Sequence, residues 1–316
     1  MKIVFVPDGG AAAGLGHLSR CVAVSQAFEI LYGVQSKFLV SDLKSKSWLS
    51  DRGIESIDEP QGNWDIMVFD TYLRSPAVVS DLSSQAKVVV AFDDNFNPPS
   101  GARWIINTSL RVKAASYIRS RPENLLLGPT YHPLQSEYWS SRPNRCAASS
   151  VRDVLITLGG GIHEATLFEI VEELGPILVS GRFHILVGPH ADPGISALNG
   201  EHVFVHRSPA NVRDMLASAD LAISGGGQTL FELAYLGVPT IAIQVARNQQ
   251  ENILGFSDEG AVVPAGDISQ PGWKRLLRKA FRRVIEEQGK RVAMAEAGRK
   301  LIDGKGAIRL AKVLAT

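Results

Sequence analysis

Asp8-Gly9-Gly10-Ala11-Ala12-Ala13-Gly14-Leu15-Gly16-His17-Leu18-Ser19-Arg20 lies between an apolar run, Ile3-Val4-Phe5-Val6, and an amphipathic stretch that reaches about Leu31. A glycine-rich loop between a buried strand and a helix start is where α/β proteins bind polar ligands. First-turn N–H groups and the helix dipole favour an anion there. Within the first helical turn sits His17, a side chain that exchanges protons near neutral pH. The stretch reads as an active site, with Asp8, Gly14, Gly16 and Arg20 close to the ligand.

Working outward, short apolar runs alternate with helical patterns, the signature of parallel sheets flanked by helices. Strands are expected at Ile3–Val6, Lys37–Val40, Ile66–Phe69, Val88–Phe92, Trp104–Ile106 and Leu125–Leu127. The alternation restarts at Val154–Leu158 and continues through His184–Val187, Val203–Val205, Leu221–Ile223 and Thr240–Ile243. Helices are expected at Glu164–Leu174, Asn211–Ala217, Thr229–Leu236 and Asn252–Asp258, then two or three more from Gly272 onward. The fold class is α/β: two Rossmann-like doubly wound domains, residues 1–140 and 153–300, facing a cleft. The small polar residues of 141–152 form the linker, and 301–316 a C-terminal helix able to pack back on the first domain.

A second glycine loop, Ser224-Gly225-Gly226-Gly227-Gln228-Thr229-Leu230-Phe231-Glu232, follows the apolar strand Asp220–Ile223. Three glycines let backbone N–H groups approach a diphosphate, and Glu232 could accept bonds from ribose hydroxyls. Thr229 with Glu232 is also a correct capping box, in which the acid folds back onto the helix start. Both readings stand at this point. The polar loop at Asn248 and Gln249, and the run Gly159-Gly160-Gly161 with Gly160 central, are further ligand candidates. No Gly-Lys-Ser or Gly-Lys-Thr follows any glycine run, and Gly14-Leu15-Gly16 lacks a third fingerprint glycine, which argues against NTP hydrolysis and hydride transfer.

Composition narrows the partners. The 316 residues carry 33 basic and 32 acidic side chains, a net charge of +1, so nucleic acid and anionic membranes have no electrostatic claim. The basic run Lys274 to Arg283 reads as a solvated helix face, with Leu276, Leu277, Ala280, Phe281 and Val284 inward. No apolar run nears the roughly 18 residues of a membrane span. The chain begins on a strand, and its two cysteines, Cys21 and Cys146, follow no metal-ligand spacing. A cytoplasmic protein without metal or cofactor is expected.

With both loops in place, the chain resembles the UDP-sugar hydrolases of pseudaminic acid synthesis. Asp8-Gly9-Gly10 with Gly14-x-Gly16-His17-x-x-Arg20 carries the likeness, continued by Asp70-Thr71-Tyr72, Phe92-Asp93-Asp94, Asn107 and Leu127-Gly128-Pro129-x-Tyr131. It resumes at Ser224 to Glu232, Asn248-Gln249 and Asp303 to Ala307. The second loop is shared with the wider group of two-domain (GT-B) glycosyltransferases. The resemblance implies that His17 activates water at the anomeric carbon and that UDP leaves with inversion, without a metal. It places Tyr72 and Asn107 by the sugar, Thr229 by the diphosphate and Glu232 by the ribose. Asp94, Tyr131 and Gln228 join the binding set. The chain departs from the family at Gly161-Ile162-His163, Gln135 and Arg247, which bears on the identity of the sugar.

Other readings of these residues stay open. His17 could hydrogen-bond a phosphate rather than act as base; as a base, the helix dipole should lower its pKa. Asp70, at the end of Ile66–Phe69, could orient His17 or bind sugar hydroxyls. Of Asp93 and Asp94, one should cap a loop and the other face the ligand, since adjacent strand-end residues point to opposite faces. An inverting glycosyltransferase and a non-catalytic nucleotide-sugar binding protein are the alternative functions.

Overall fold

Every strand pairing in the computed structural model is parallel. The structure describes residues 1–10, 14–60, 62–117, 124–140, 142, 147–159 and 164–316. Among these, β1 (Ile3–Pro7), β2 (Lys37–Leu39), β3 (Ser56–Ile57), β4 (Trp64–Asp70), β5 (Ala86–Phe92), β6 (Trp104–Asn107) and β7 (Asn124–Leu127) form one sheet. Its order is β3-β2-β1-β4-β5-β6-β7. The second sheet contains β8 (Asp153–Thr157), β9 (Arg182–Val187), β10 (Val203–Arg207), β11 (Leu221–Ser224), β12 (Thr240–Gln244) and β13 (Val262–Asp267). Its order is β10-β9-β8-β11-β12-β13. In each sheet the chain works outward to one edge, then returns beside the first strand and works to the other. This is the strand order of dinucleotide-binding folds, and its reversal opens a crevice beside the first strand of each sheet.

Burial on both faces explains the unbroken apolar runs. In β1, Ile3 and Phe5 enter one hydrophobic cluster while Val4 and Val6 enter another. Two strands, β3 and β13, escaped the sequence reading. Both are edge strands. β13 contains Pro264 and Gly266, which weaken a strand signal and are tolerated where the ladder ends.

The helices are α1 (Gly16–Tyr32), α2 (Leu43–Ser50), α3 (Pro76–Ser83), α4 (Glu164–Leu174), α5 (Val212–Ser218), α6 (Gln228–Leu236), α7 (Gln250–Asp258), α8 (Trp273–Glu286), α9 (Gln288–Leu301) and α10 (Gly306–Leu314). α1 is not amphipathic over its first half: Leu18 through Ser25 are all buried, Arg20 included. A helix buried all round is a core helix. It stops at Gly33, whose left-handed φ of 64° closes the cap onto the Glu29 carbonyl. On α8 the apolar face is Trp273, Leu277, Ala280, Phe281 and Val284; Leu276, expected with them, lies 46% exposed.

Contacts divide the chain into Met1–Trp139 with Gly304–Thr316, and Ser140–Asp303. The C-terminal α10 therefore belongs to the first unit, where Ala307, Leu310, Ala311 and Leu314 complete the core around α1. Gly306 is required there, since a Cβ would stand 2.1 Å from the His132 carbonyl oxygen. In the second unit the buried Arg291 donates to the carbonyls of Ala148 and Ser149, tying the segment before β8 to α9. The expected linker residues 141 and 143–146, with Cys146, lie outside the described residues. No helix among the described residues is long and apolar enough to cross a membrane.

Candidate functional site

β1, β4 and β5 are neighbours in the first sheet, so the segments leaving their C-terminal ends meet beside the start of α1. From α1 come His17 and Arg20, three residues apart on one helix face. Asp70 ends β4 and is fully buried. Its Oδ1 lies 2.5 Å from His17 Nδ1 and accepts from Arg20 Nη2 at 2.6 Å, while Oδ2 accepts from Arg20 Nε. Arg20 also donates through Nη1 to Asp94 Oδ2 at 2.8 Å and stacks over the Phe92 ring. The buried guanidinium is thus satisfied by two carboxylates, as burial of a charge requires.

A carboxylate facing Nδ1 takes that nitrogen's proton as a hydrogen-bond donor, leaving Nε2 with the lone pair. Burial disfavours the imidazolium of His17, yet the Asp70 carboxylate, with a smaller contribution from Asp94, outweighs both burial and the Arg20 charge. The pKa is raised above the usual histidine value. This corrects the expectation of a dipole-lowered pKa: a charge in hydrogen-bond contact exceeds the partial charge of a helix end. For Asp70, burial works against ionisation, but Arg20 and then His17 hold its carboxyl well below the usual range.

Tyr72 and Asp94 form the other wall. The Tyr72 hydroxyl donates to Asp94 Oδ2 at 3.1 Å and accepts from the Asp94 N–H at 2.9 Å. Burial, then the Asp94 charge, push the phenol's pKa far up, so it stays protonated. Its ring meets His17 edge-on at 5.2 Å. Asp93 is the loop cap of the pair, accepting from the N–H groups of Asn95 and Asn97.

Several expected ligand residues have structural partners. Asp8 accepts from Thr71 Oγ1 and from the N–H groups of Tyr72 and Leu73, fixing the loop after β4. Asn107 is fully buried, bonded to the Tyr117 hydroxyl and the Ser109 N–H. Tyr131 packs against the first core. Gly14 closes the loop before α1 through its N–H to the Gly10 carbonyl, at a left-handed φ of 69°. Gly16 opens α1 with empty space around its Cβ position.

In the second unit, the loop after β11 enters α6 with Gly227 at the N-cap and no side-chain acceptor. Thr229 therefore lies inside the helix, and the Thr229–Glu232 capping box is not formed. Two of the three glycines have a packing reason. A Cβ on Gly226 would stand 2.7 Å from the Gln249 carbonyl oxygen, and one on Gly225 3.0 Å from that of Leu158. The Gly226 N–H is already bonded to Gln249 Oε1, and the Gly225 N–H to the Thr157 carbonyl. Ser224 bonds the Gly225 carbonyl. Of the three, Gly227 alone has only ordinary contact at its Cβ position, at the N-cap of α6. Glu232 is 8% exposed in the second turn of α6, and Asn248 is exposed. Gly160 and Gly161-Ile162-His163 lie outside the described residues.

Two participants were missed in the sequence. Cys21, which follows no metal-ligand spacing, is buried and donates its thiol toward Asp70 Oδ2 at 3.8 Å. Asn252 donates to the Gly226 carbonyl at 3.0 Å. Each lies one helical turn or less from a recognised residue, and only helix phase could have found them.

Known proteins bear on this geometry. No protein-family model matches the chain. It is 21% identical to the spore coat polysaccharide biosynthesis protein SpsG of Bacillus subtilis (strain 168), over 99% of this chain and 98% of that protein. It is 26% identical to the Helicobacter pylori (strain ATCC 700392 / 26695) pseudaminic acid cytidylyltransferase and UDP-2,4-diacetamido-2,4,6-trideoxy-beta-L-altropyranose hydrolase, over 79% of this chain and 45% of that protein. The chain thus spans under half of that bifunctionally named relative. Among solved structures, the spinosyn rhamnosyltransferase SpnG complexed with thymidine diphosphate matches with a TM-score of 0.70 at 15% identity, covering 100% of both chains. The fold is that of the GT-B glycosyltransferases, and the chain is related to proteins of polysaccharide and pseudaminic acid synthesis.

Proposed function

We propose that the chain hydrolyses a UDP-linked deoxyamino sugar at its anomeric carbon, releasing UDP and the free sugar. The carrying observation is the His17–Asp70 pair at the crevice of the first sheet. Asp70 holds the Nδ1 proton and leaves Nε2 to take one from water. The oxygen of that water forms a bond to the anomeric carbon as the bond from carbon to the UDP oxygen breaks. The electron pair leaves with UDP, and the configuration inverts. The new imidazolium is favoured because Asp70 and Asp94 carry two negative charges against one on Arg20. In this reading the N-terminus of α6 receives the diphosphate and Glu232 the ribose, and no step calls for a metal.

A second reading, inverting transfer of the sugar to an acceptor hydroxyl, is favoured by the transferase identity of the SpnG structure. The same base serves both reactions. The deciding experiment measures UDP release by the purified protein across a panel of UDP-sugars with no acceptor present. Steady multiple turnover supports hydrolysis. Turnover that appears only with an added acceptor supports transfer. Tight binding without turnover under either condition defeats both and leaves a binding protein.

A further inference from the structure

β9 and β10 form one margin of the second sheet, with β10 outermost. Side chains alternate across them. Phe183, Ile185, Val187, Val203 and Val205 join the hydrophobic cluster of that unit, so His184, Phe204 and His206 stand on the opposite face. The 3-10 helix Pro193–Leu198, which connects the two strands, packs Ile195 and Leu198 on the clustered face. Parallel sheets are ordinarily covered on both faces. Here Phe204 stays 37% exposed and the His184 side chain 28%, so the face is reached by solvent.

Parallel pairing sets Phe204 beside His184, with His206 next along the same face. His184 Nδ1 and His206 Nε2 lie 3.2 Å apart, while the ring centroids are 5.4 Å apart and the planes differ by 24°. The nitrogens are much closer than the centroids, so the rings meet edge to edge with their nitrogens converging. The other nitrogen of His184 lies 3.0 Å from Asp153 Oδ1, at the start of β8. Arg182 anchors that carboxylate through Nε and Nη2. With Asp153 accepting the Nε2 proton, His184 Nδ1 keeps its lone pair. Two nitrogens held by one tetrahedral zinc at about 2.0–2.1 Å stand about 3.3 Å apart, which matches the separation found. A carboxylate behind the far nitrogen is the usual support of a metal-bound histidine.

We propose that His184 Nδ1 and His206 Nε2 chelate a divalent cation of the imidazole-preferring kind, Zn²⁺ or Cu²⁺, with Asp153 orienting His184. Among the described residues no group of three His, Cys, Asp or Glu side chains could hold a metal, so water fills the remaining positions. Mg²⁺ and Ca²⁺, which take oxygen ligands, do not suit the pair. Without the cation, His206 Nε2–H donates to His184 Nδ1; on binding, the metal replaces that proton, which passes to His206 Nδ1. The cation ties the outermost strand to its neighbour. It belongs to the second unit, supplies nothing to the His17–Asp70 pair and stands independently of the UDP-sugar reading. Spacing along the chain hides the site, because the register of β9 and β10 brings the two histidines together.

The test adds substoichiometric Cu²⁺ to protein carrying isotopically labelled histidine, with Zn²⁺ calorimetry and melting temperature alongside. The ring signals of His184 and His206 should broaden first, ahead of His17, which also offers a free Nε2. Zn²⁺ should raise the melting temperature of the parent and Mg²⁺ should not. Asp153→Asn should weaken Zn²⁺ binding by about tenfold, the scale of losing the group behind a ligand. His184→Gln and His206→Gln should each weaken it further. Should His184→Gln melt well below the parent before metal is added, His206→Gln, on the outermost strand, decides. Broadening that begins at other histidines overturns the assignment and leaves a hydrogen-bonded pair. A parent that binds no Zn²⁺, or Zn²⁺ affinity unchanged in His206→Gln, does the same. Affinity unchanged in Asp153→Asn overturns the orienting role of that carboxylate.

Discussion

His17 Nδ1 and Asp70 Oδ1 are 2.5 Å apart, and the carboxylate is fully buried. The imidazole comes from the first turn of a core helix and the carboxylate from the end of the strand beside β1. Neither residue can turn away without disturbing the other. Because Arg20 grips the same carboxylate, Asp70 cannot rotate to release the ring.

Removing the base should therefore be cleaner than removing its holder. His17→Ala should bind UDP as the parent does and lose at least about a hundredfold in turnover. Asp70→Asn should lose comparable activity and also stability, by about 3 kcal/mol, since it leaves buried Arg20 with one carboxylate instead of two. Calorimetry, turnover and urea denaturation read the three quantities. An active His17→Ala variant defeats the mechanism.

The raised pKa of His17 gives activity and stability opposite pH trends. The base form is needed, so kcat/KM should rise with pH through a midpoint above the ordinary value of about 6.5, and Asp70→Asn should bring that midpoint down. A folded-state pKa above the unfolded one contributes stability that is complete below about pH 6.5 and is lost as pH rises through the folded value. The melting temperature of the parent relative to His17→Gln should decline over the window in which activity grows. A midpoint at or below the ordinary value removes His17 as the titrating base.

Much of this was legible in the chain. Continuous β-branched runs announced parallel strands, and the spacing from His17 to Arg20 announced one helix face. Asp70 was visible because it ends the apolar run Ile66–Phe69. Tertiary convergence was not legible. Asp8 and Asn107 have the residue types of ligand contacts, and each also accepts from the backbone of a neighbouring loop, a partnership that sequence does not show. The glycines at 225 and 226 read as phosphate approach, and the close passage of the Gln249 turn and the Leu158 carbonyl is a packing reason for both. Sequence shows that a backbone must come close to something; it does not show to what.

That ambiguity separates Gly226 from Gly227. Gly226→Ala drives a methyl against the Gln249 carbonyl and the Ile253 side chain, and should cost about 1–3 kcal/mol of stability. Gly227→Ala meets only Gln249 Nε2 at 3.9 Å, so its melting temperature should stay close to the parent's. If the start of α6 holds the diphosphate, UDP affinity should fall several-fold in Gly227→Ala. Unchanged affinity there moves the nucleotide elsewhere.

Glu232 can now be tested without its capping alternative. Gly227 occupies the N-cap, so Glu232→Gln removes charge without removing a box. Bonds from ribose hydroxyls to a carboxylate are stronger than to an amide. UDP affinity should drop by about 1–2 kcal/mol, with melting little changed. Loss of stability at constant affinity assigns Glu232 to the fold.

The atom that water attacks decides the chemistry. Run in isotopically labelled water, the reaction should place one label on the anomeric oxygen of the released sugar and none on UDP, because the proposed attack is at carbon and the UDP oxygen departs with its bonding pair. Inversion should be visible as the opposite anomer before mutarotation. EDTA should leave the rate unchanged if the N-terminus of α6 and no metal carries the diphosphate charge; loss restored by a divalent ion refutes that part alone. Label on UDP means attack at phosphorus. His17, fixed by Asp70, would then be acting on a different electrophile, and the sugar would leave with its own anomeric oxygen and its configuration retained.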